Sequence, residues 1–120
     1  MQADRSRELI RMFVERIVNE TFPDETAAAR LQQVGLFTLI YMLQGEEQPV
    51  TAARLTKMTG LSDAQIIRQL KKLIAIGIVE RTQILNKQGR GRAFHLSIKH
   101  NAKTRRLANA IHKASARKKR

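Results

Sequence analysis

The stretch "TGLSDAQIIRQLKKL", residues 59–73, combines the signals of a turn with those of a helix that is apolar on one side and basic on the other. Gly60 fits the left-handed position that ends a preceding helix, and Ser62 fits the N-cap of the next one. Gln65 stands three residues after Ser62, the spacing of a capping box. The apolar residues recur at helical spacing: Ile66, Leu70, Leu73 and Ile74. The stretch therefore predicts two helices joined by a tight turn, with the basic side of the second facing away from the core.

Helical patterns also precede this stretch. Residues 3–20 carry an apolar stripe, and the break at Pro23 is followed by a second helical region over residues 25–43, with Asp24 as a candidate cap. Gly35 is a point at which that region could bend or split. A short helix capped by Thr51 then leads into Gly60. Two helices around Gly60 are thus preceded by a longer helical region.

The pattern changes after Gly77. Residues 78–85 and 92–98 are rich in β-branched and apolar residues in near alternation, and the glycine-containing, basic segment "NKQGRG" separates them, which predicts a β-hairpin. Residues 99–116 are again helical, and residues 117–120 form a basic tail. This order predicts a mostly α protein with a small β-hairpin wing, a winged helix-turn-helix with flanking terminal helices. We expect a single domain over residues 1–120: a helical region at 3–33, the winged helix-turn-helix at 34–98, then the last helix and the tail.

Positive charge is concentrated in the second half of the chain. The whole sequence has a formal net charge of +13. Residues 1–60 contain 7 Lys/Arg and 8 Asp/Glu, whereas residues 61–120 contain 16 Lys/Arg and 2 Asp/Glu, which makes that half +14. The asymmetry predicts a polyanionic partner for the second half, with nucleic acid ahead of an anionic membrane surface. A basic surface that serves only solubility is the simpler alternative.

Several classes of function are disfavoured by the composition. The sequence contains no Cys, which excludes a disulfide framework and thiol-based zinc sites or sensing. Its longest apolar run, residues 34–43, is too short for a bilayer span, which needs about 20 residues, and no secretory signal is expected. The histidines at 95, 100 and 112 are scattered, so no metal site is predicted, and His95 is expected to face the surface or a phosphate. Without a phosphate loop, nucleophile elbow or paired carboxylates, we predict neither an enzyme nor a cofactor.

The outward side of the helix after Gly60 offers side chains suited to reading DNA. Gln65 can pair bidentately with adenine and Arg68 with guanine, while small and apolar side chains can touch a thymine methyl. Lysines further along the helix suit phosphate, and Ser62 can bind phosphate at the helix start. The alternative is an ordinary solvated face. The predicted contacts on this helix are Ser62, Ala64, Gln65, Ile67, Arg68, Lys71 and Lys72.

The hairpin adds a second group of cations. Lys87, Arg90 and Arg92 lie at or near its tip, and no acidic residue occurs between Glu80 and residue 120. An arginine on a hairpin tip suits the narrow, electronegative minor groove. Charges that protect a sheet edge from aggregation are the alternative, which explains one or two of these residues better than all three.

Residues 50–83, "VTAARLTKMTGLSDAQIIRQLKKLIAIGIVERTQ", resemble the DNA-binding lobe of MarR-type transcriptional regulators. The family's Leu-x-x-x-Gly-aliphatic-aliphatic-x-Arg ending is matched here by five residues: Leu73, Gly77, Ile78, Val79 and Arg81. The family's wing carries Asp-x-Arg and then a Leu-Thr pair; this chain has Gln88 in place of the Asp, Arg90 for the Arg, and Leu96–Ser97 for the pair. The Asp–Arg pairing of the family's wing is therefore missing, which leaves Arg90 freer to bind phosphate. The resemblance covers roughly residues 34–98.

The resemblance implies a homodimer in which the first and last helices of two chains interlace and two recognition helices lie about one DNA turn apart. The apolar stripes of the terminal helices support this independently. We therefore expect Phe13, Ile17, Leu107 and Ile111 at or near a subunit interface; the alternative is that they cover the core of their own chain. Many members of the family sense small aromatic acids or oxidants between their lobes, so an unidentified small-molecule effector is possible.

The sequence thus favours a cytoplasmic, sequence-specific regulator of transcription that binds double-stranded DNA as a homodimer, represses, and associates with the nucleoid when bound. A non-enzymatic accessory or architectural protein that coats nucleic acid without sequence choice is the main alternative, favoured by the high charge and the tail "RKKR". A winged-helix module that binds an acidic protein is a third. Outward Gln65 and Arg68 favour the first, because coating phosphates needs no bidentate reader.

Overall fold

The computed structural model describes residues 2–20, 22–85 and 92–118; side chains at 2–4, 85, 92 and 115–118 are outside the description. Within these residues the chain forms five helices and one antiparallel hairpin. In chain order they are α1 (Gln2–Asn19), α2 (Ala27–Leu43), α3 (Ala52–Thr59), α4 (Asp63–Ala75), β1 (Val79–Leu85), β2 (Arg92–Ile98) and α5 (Ala102–Lys118). Helices α2 to α4 followed by the hairpin are a winged helix-turn-helix, which confirms the predicted fold class.

The chain divides into two compact units. One contains α1 and α5, from Met1–Glu20 and His100–Arg120, and is called the terminal-helix unit below. The other, Thr21–Lys99, contains α2 to β2 and is called the winged-helix unit. None of the helices in the described residues is both long and apolar enough to cross a membrane.

Helix α2 begins later than the sequence suggested. Its N-cap is Thr26, whose side chain accepts a hydrogen bond from the Ala29 backbone N–H at 3.0 Å. Asp24, the expected cap, instead has a positive φ of 64° in the preceding turn. Asp tolerates this left-handed conformation because its short polar side chain bonds locally. The helix runs unbroken through Gly35, so that glycine does not split it.

The helix-turn-helix has the caps that the sequence predicts. Thr51 caps α3 by accepting from the Arg54 N–H at 3.2 Å. Gly60 ends α3 with φ 76°, the left-handed conformation that glycine adopts without a Cβ penalty. Ser62 and Gln65 form a complete capping box at the start of α4. The turn between the helices is therefore specified by neighbouring residues alone.

Strand β2 is joined by three hydrogen bonds to the segment that connects α2 and α3. The Leu96 N–H donates to the Val50 carbonyl at 2.8 Å, and the Val50 N–H donates to Nδ1 of His95 at 3.0 Å. The Ile98 N–H donates to Oε1 of Gln44 at 3.0 Å. His95 is half-buried and holds a backbone group of its own chain, so the expectation that it faces the surface or a phosphate was wrong.

The core of the winged-helix unit is continuous across all its elements. Every helix and both strands contribute side chains that are at most 8% exposed. They are Leu36, Phe37, Ile40, Leu43, Val50, Leu55, Ile66, Leu70, Leu73, Ile78, Val79, Leu96 and Ile98. The same period-3.6 and period-2 patterns that predicted the elements thus place α4 with its apolar side inward and its basic side outward.

Candidate nucleic-acid interface

The outward face of α4 carries five of the seven side chains on this helix that are predicted to contact DNA. Ser62, Ala64, Ile67, Arg68 and Lys71 are all exposed. Opposite them on the helix, four residues are buried: Ile66, Gln69, Leu70 and Leu73. Arg68 and Lys71 form no ion pair with any other described residue, so both cations are available to an external partner.

Gln65 is half-buried, and its side chain already takes part in hydrogen bonds with Ser62. Its Oε1 accepts hydrogen bonds from the Ser62 backbone N–H at 3.1 Å and from the Ser62 hydroxyl at 3.2 Å. The Gln65 backbone N–H in turn donates to Oγ of Ser62 at 3.2 Å. The bidentate pairing with adenine suggested by the sequence needs both Oε1 and Nε2, so it would compete with the capping box.

Lys72 differs from the other cations of α4, because its side chain is only 20% exposed. Its Nζ lies 3.9 Å from Oε2 of Glu25 and 5.7 Å from the centre of the Phe22 ring. A lysine in this position is held by the segment that leads into α2. To contact a phosphate, the Lys72 ammonium group would have to move away from Glu25 or Phe22.

A buried polar cluster joins α2 to the inner side of α4. The Nε2 group of Gln33 donates to Oε1 of Glu25 at 3.0 Å and to Oε1 of Gln69 at 2.9 Å. Gln33 and Gln69 are 1% and 3% exposed, and the Glu25 side chain is 1% exposed. Glu25, Gln33, Gln69 and Lys72 are called the Gln33 cluster below. Because it attaches α4 through two of its residues, it holds the outward face of the helix in one orientation.

Sequence reasoning missed this cluster. Gln33 and Gln69 are 36 residues apart, and nothing local distinguishes a buried glutamine from the exposed ones around it. The available signal was that Gln69 falls on the same helical side as Ile66, Leu70 and Leu73, so its amide had to be buried and paired.

The predicted wing contacts fall largely beyond what the structure describes. Lys87 and Arg90 lie outside the described residues. Arg92 begins β2, where its Cα pairs with that of Leu85, but its side chain is outside the description. The assignment of these three residues to DNA contact stays a prediction.

A mainly apolar cavity of about 420 Å³ lies between α3, α4 and the hairpin. Ile67, Leu70 and Phe94 are among its lining residues, and Lys71 and Arg81 supply positive charge. The guanidinium carbon of Arg81 lies 4.9 Å from the centre of the Phe94 ring, a cation–π arrangement. The cavity therefore shares Ile67 and Lys71 with the outward face of α4.

Within the terminal-helix unit, the four residues assigned to a subunit interface have two different environments. Phe13 and Ile17 are 0% exposed in the single chain, and the Phe13 ring packs edge-on against His100 with centroids 5.6 Å apart. Leu107 and Ile111 are half-buried. Phe13 and Ile17 are thus buried within their own chain, and the assignment of all four residues to the neighbourhood of a subunit interface stays a prediction.

Other apolar side chains of α1 do remain exposed. Ile10 and Val18 are 39% and 45% exposed, and half-buried Val14 lies between them at helical spacing. This stripe is therefore partly open to solvent in the single chain, as are Leu107 and Ile111.

Among the described residues, no group of three or more His, Cys, Asp or Glu is placed to hold a metal ion.

Several solved structures are similar to this chain. One is described as a possible transcriptional regulator from Methanosarcina mazei, with 18% identity and a TM-score of 0.49 over 94% of this chain and 81% of that one. A protein from Sulfolobus tokodaii has 20% identity and a TM-score of 0.42 over 99% and 96% of the two chains. A mutant of MarR from E. coli complexed with operator DNA has 16% identity and a TM-score of 0.44 over 92% and 68%.

These are similarities of backbone structure at low sequence identity. Comparisons with models of protein families and with curated protein sequences give no match.

Proposed function

We propose that this chain is a sequence-specific regulator of transcription that binds double-stranded DNA as a homodimer and represses by blocking promoter access. Helix α4 enters the major groove and the basic wing lies in the minor groove. The observation that carries the proposal is the face of α4, where Arg68 and Lys71 are exposed and form no ion pair with another described residue, on a helix whose other side is buried. Such a regulator works in the cytoplasm, at the nucleoid when bound to DNA.

The dimer is supported by the apolar surface left on the terminal-helix unit. Ile10 and Val18 are exposed on one stripe of α1, and Leu107 and Ile111 are half-buried on α5, so the single chain leaves these apolar side chains partly uncovered. Burial of such a stripe against its copy would remove apolar area from water at about 25 cal/mol per Å². A sedimentation measurement that finds only monomer at micromolar concentration would remove the dimer from the proposal.

A small-molecule effector fits the proposal at the cavity between α4 and the hairpin. Its apolar walls and the positive charges of Lys71 and Arg81 suit a ligand that has an apolar body and carries a negative charge. A ligand there would touch Ile67 and Lys71, which are also predicted DNA contacts, so ligand and DNA would compete for the same side chains.

Selection of binding sites from random duplex DNA at near-physiological salt tests the proposal. An enriched inverted repeat, with half-sites about 10 base pairs apart centre to centre, is the expected result. Binding without enrichment would instead support the second candidate, a protein that coats nucleic acid without sequence choice. The +14 charge of residues 61–120 is the observation that favours that candidate.

Replacement of Arg68 by Ala should weaken binding to the selected site by about 1–3 kcal/mol and relax the preference at one base position. The reason is that an exposed arginine can pair bidentately with guanine, a contact that other bases do not offer. Equilibrium titrations of the selected site and of single-base variants measure both effects.

Lys71→Ala is the matched control, since Lys71 is an exposed cation on the same helix. It should weaken binding to all sequences alike and lower the salt slope by about one for each bound chain. Equal losses on every sequence for both variants would contradict sequence-specific reading by Arg68.

A further inference from the structure

The solvent-facing side of α5 is strongly basic. The helix contains no Asp or Glu, and its exposed side chains include Lys103, Arg105, Arg106 and Lys113. Thr104 is fully buried, and Leu107 and Ile111 are half-buried on the opposite side. The basic side, called the α5 basic face below, is therefore distinct from the apolar side that packs in the terminal-helix unit.

The charges of the α5 basic face are not neutralised within the described part of the chain. On α1, Arg11 is paired with Glu8 at 3.8 Å and with Glu15 at 3.0 Å. On α5, no described Lys or Arg takes part in an ion pair. The contact made by the Arg106 guanidinium is a long hydrogen bond, from Nε to the Ala102 carbonyl at 3.4 Å.

The position of these cations along α5 does not help the helix to form. Lys103, Arg105 and Arg106 lie in or next to its first turn, where the partial charge of the helix dipole is already positive and acidic residues are favoured. The local cap is supplied by Asn101, whose Oδ1 accepts from the Thr104 N–H at 2.8 Å. Folding alone therefore gives no reason to place three cations at this end of α5.

Two of these cations also line one surface groove. Lys103 and Arg106 share it with Arg5 of α1, and Glu8 is the acidic residue among its lining side chains. Like charges gathered around a groove repel each other, and an anion between them relieves the repulsion. From Lys103 to Lys113 the face extends about 15 Å at 1.5 Å per residue, enough for several phosphates of one strand.

We propose that the α5 basic face binds the phosphate backbone of DNA, as a second contact carried by the terminal-helix unit and separate from α4. This inference rests on the proposed function for one point: the identification of the bound polyanion as DNA. The contact adds affinity without sequence choice, because phosphates carry no base information. Each phosphate neutralised contributes about 0.9 to the slope of log K against log salt.

The test compares two double variants of the full chain. Arg105→Gln/Arg106→Gln removes two cations from the α5 basic face, and Arg7→Gln/Arg11→Gln removes two exposed arginines from α1 of the same unit. Residue types and charge change are matched, and Gln has a helix propensity close to that of Arg. Dissociation constants are measured for the selected site and for random duplex DNA from 0.05 to 0.3 M salt, with helix content checked by circular dichroism.

For each bound chain, the α5 variant should lose about two units of salt slope and bind both DNAs about 10- to 30-fold more weakly at roughly 0.15 M salt, with the preference between them unchanged. The affinity of the α1 variant for DNA should fall by less than about 3-fold, which is the effect expected from long-range charge alone. Equal losses in the two variants would overturn the contact, as would unchanged binding by the α5 variant. Loss of binding to RNA or to vesicles of anionic phospholipid, with DNA binding intact, would overturn it too.

The selection experiment and the Arg68→Ala variant separate this result from the proposed function. If selection enriches no sequence while the α5 variant loses salt slope on random duplex DNA, sequence-specific regulation fails and the α5 contact stands. If Arg68→Ala relaxes the preference while the α5 variant behaves like the α1 control, regulation stands and the α5 contact fails.

Discussion

Gln33→Leu should lower the free energy of unfolding by about 2–4 kcal/mol. The substitution keeps the size of the side chain but removes the amide that donates to Glu25 and Gln69. It leaves a buried carboxylate without its hydrogen-bond donor and a buried amide oxygen without a partner, and both losses are costly in a low dielectric. Urea denaturation, followed by circular dichroism, measures the change.

Gln32→Leu is the matched control for this variant. Gln32 is the preceding residue of α2, is half-buried, and has no hydrogen bond to another described side chain. Its replacement should change stability by less than about 0.5 kcal/mol. The double variant Gln33→Leu/Gln69→Leu should cost less than the sum of its two single variants, because the second change removes an oxygen already unpaired. Strict additivity would show that the two amides do not interact.

The Gln33 variant also bears on DNA binding. Gln69 lies on the buried side of α4, directly behind the face that carries Arg68 and Lys71. Loss of the Gln33 cluster should therefore loosen the helix and lower the preference for the selected site, even where the protein remains folded. Unchanged preference in a folded Gln33→Leu protein would show that the apolar core alone orients α4.

Phe13→Ala should destabilise the protein by about 3–5 kcal/mol, the usual cost of deleting a large buried aromatic side chain. Phe13 is completely buried in the single chain and packs against His100. Because these contacts lie within one chain, the loss of stability should be the same at every protein concentration. Thermal or urea unfolding at two concentrations, about 100-fold apart, measures it.

Ile10→Ala provides the contrast on the same helix. Ile10 is 39% exposed, so its truncation should cost the single chain little. If its stripe meets a second chain, the loss should appear as weaker association and a larger dependence of stability on concentration. A concentration-dependent loss for Phe13→Ala and none for Ile10→Ala would reverse the assignment of these two residues.

The parts of the fold set by neighbouring residues could be predicted from sequence. Gly60, Ser62 and Gln65 specify the turn and the cap of α4 within six residues, and the structure contains all three as expected. Asp24 and Thr26 were harder to separate, since both are good caps two residues apart and the backbone conformation of the turn decides between them.

Contacts between distant segments could not be predicted in this way. The bond from Val50 to His95 spans 45 residues, and that from Gln33 to Gln69 spans 36. The periodicity of apolar residues predicts whether a side chain is buried or exposed, but it does not predict which residue that side chain contacts. For the same reason the apolar pattern of α1 did not separate Phe13, which faces its own chain, from Ile10, which remains exposed.

The capping box of α4 limits the hydrogen bonds that the Gln65 side chain can offer to a partner. With Oε1 occupied by Ser62, the side chain can present its amide nitrogen as a donor without loosening the first turn of the helix. A lone donor can pair with N7 of adenine or guanine, with O6 of guanine or with O4 of thymine, whereas a donor and an acceptor together pick out adenine. If α4 reads DNA as proposed, the base that faces Gln65 should therefore be selected less strictly than a base read by both ends of an amide.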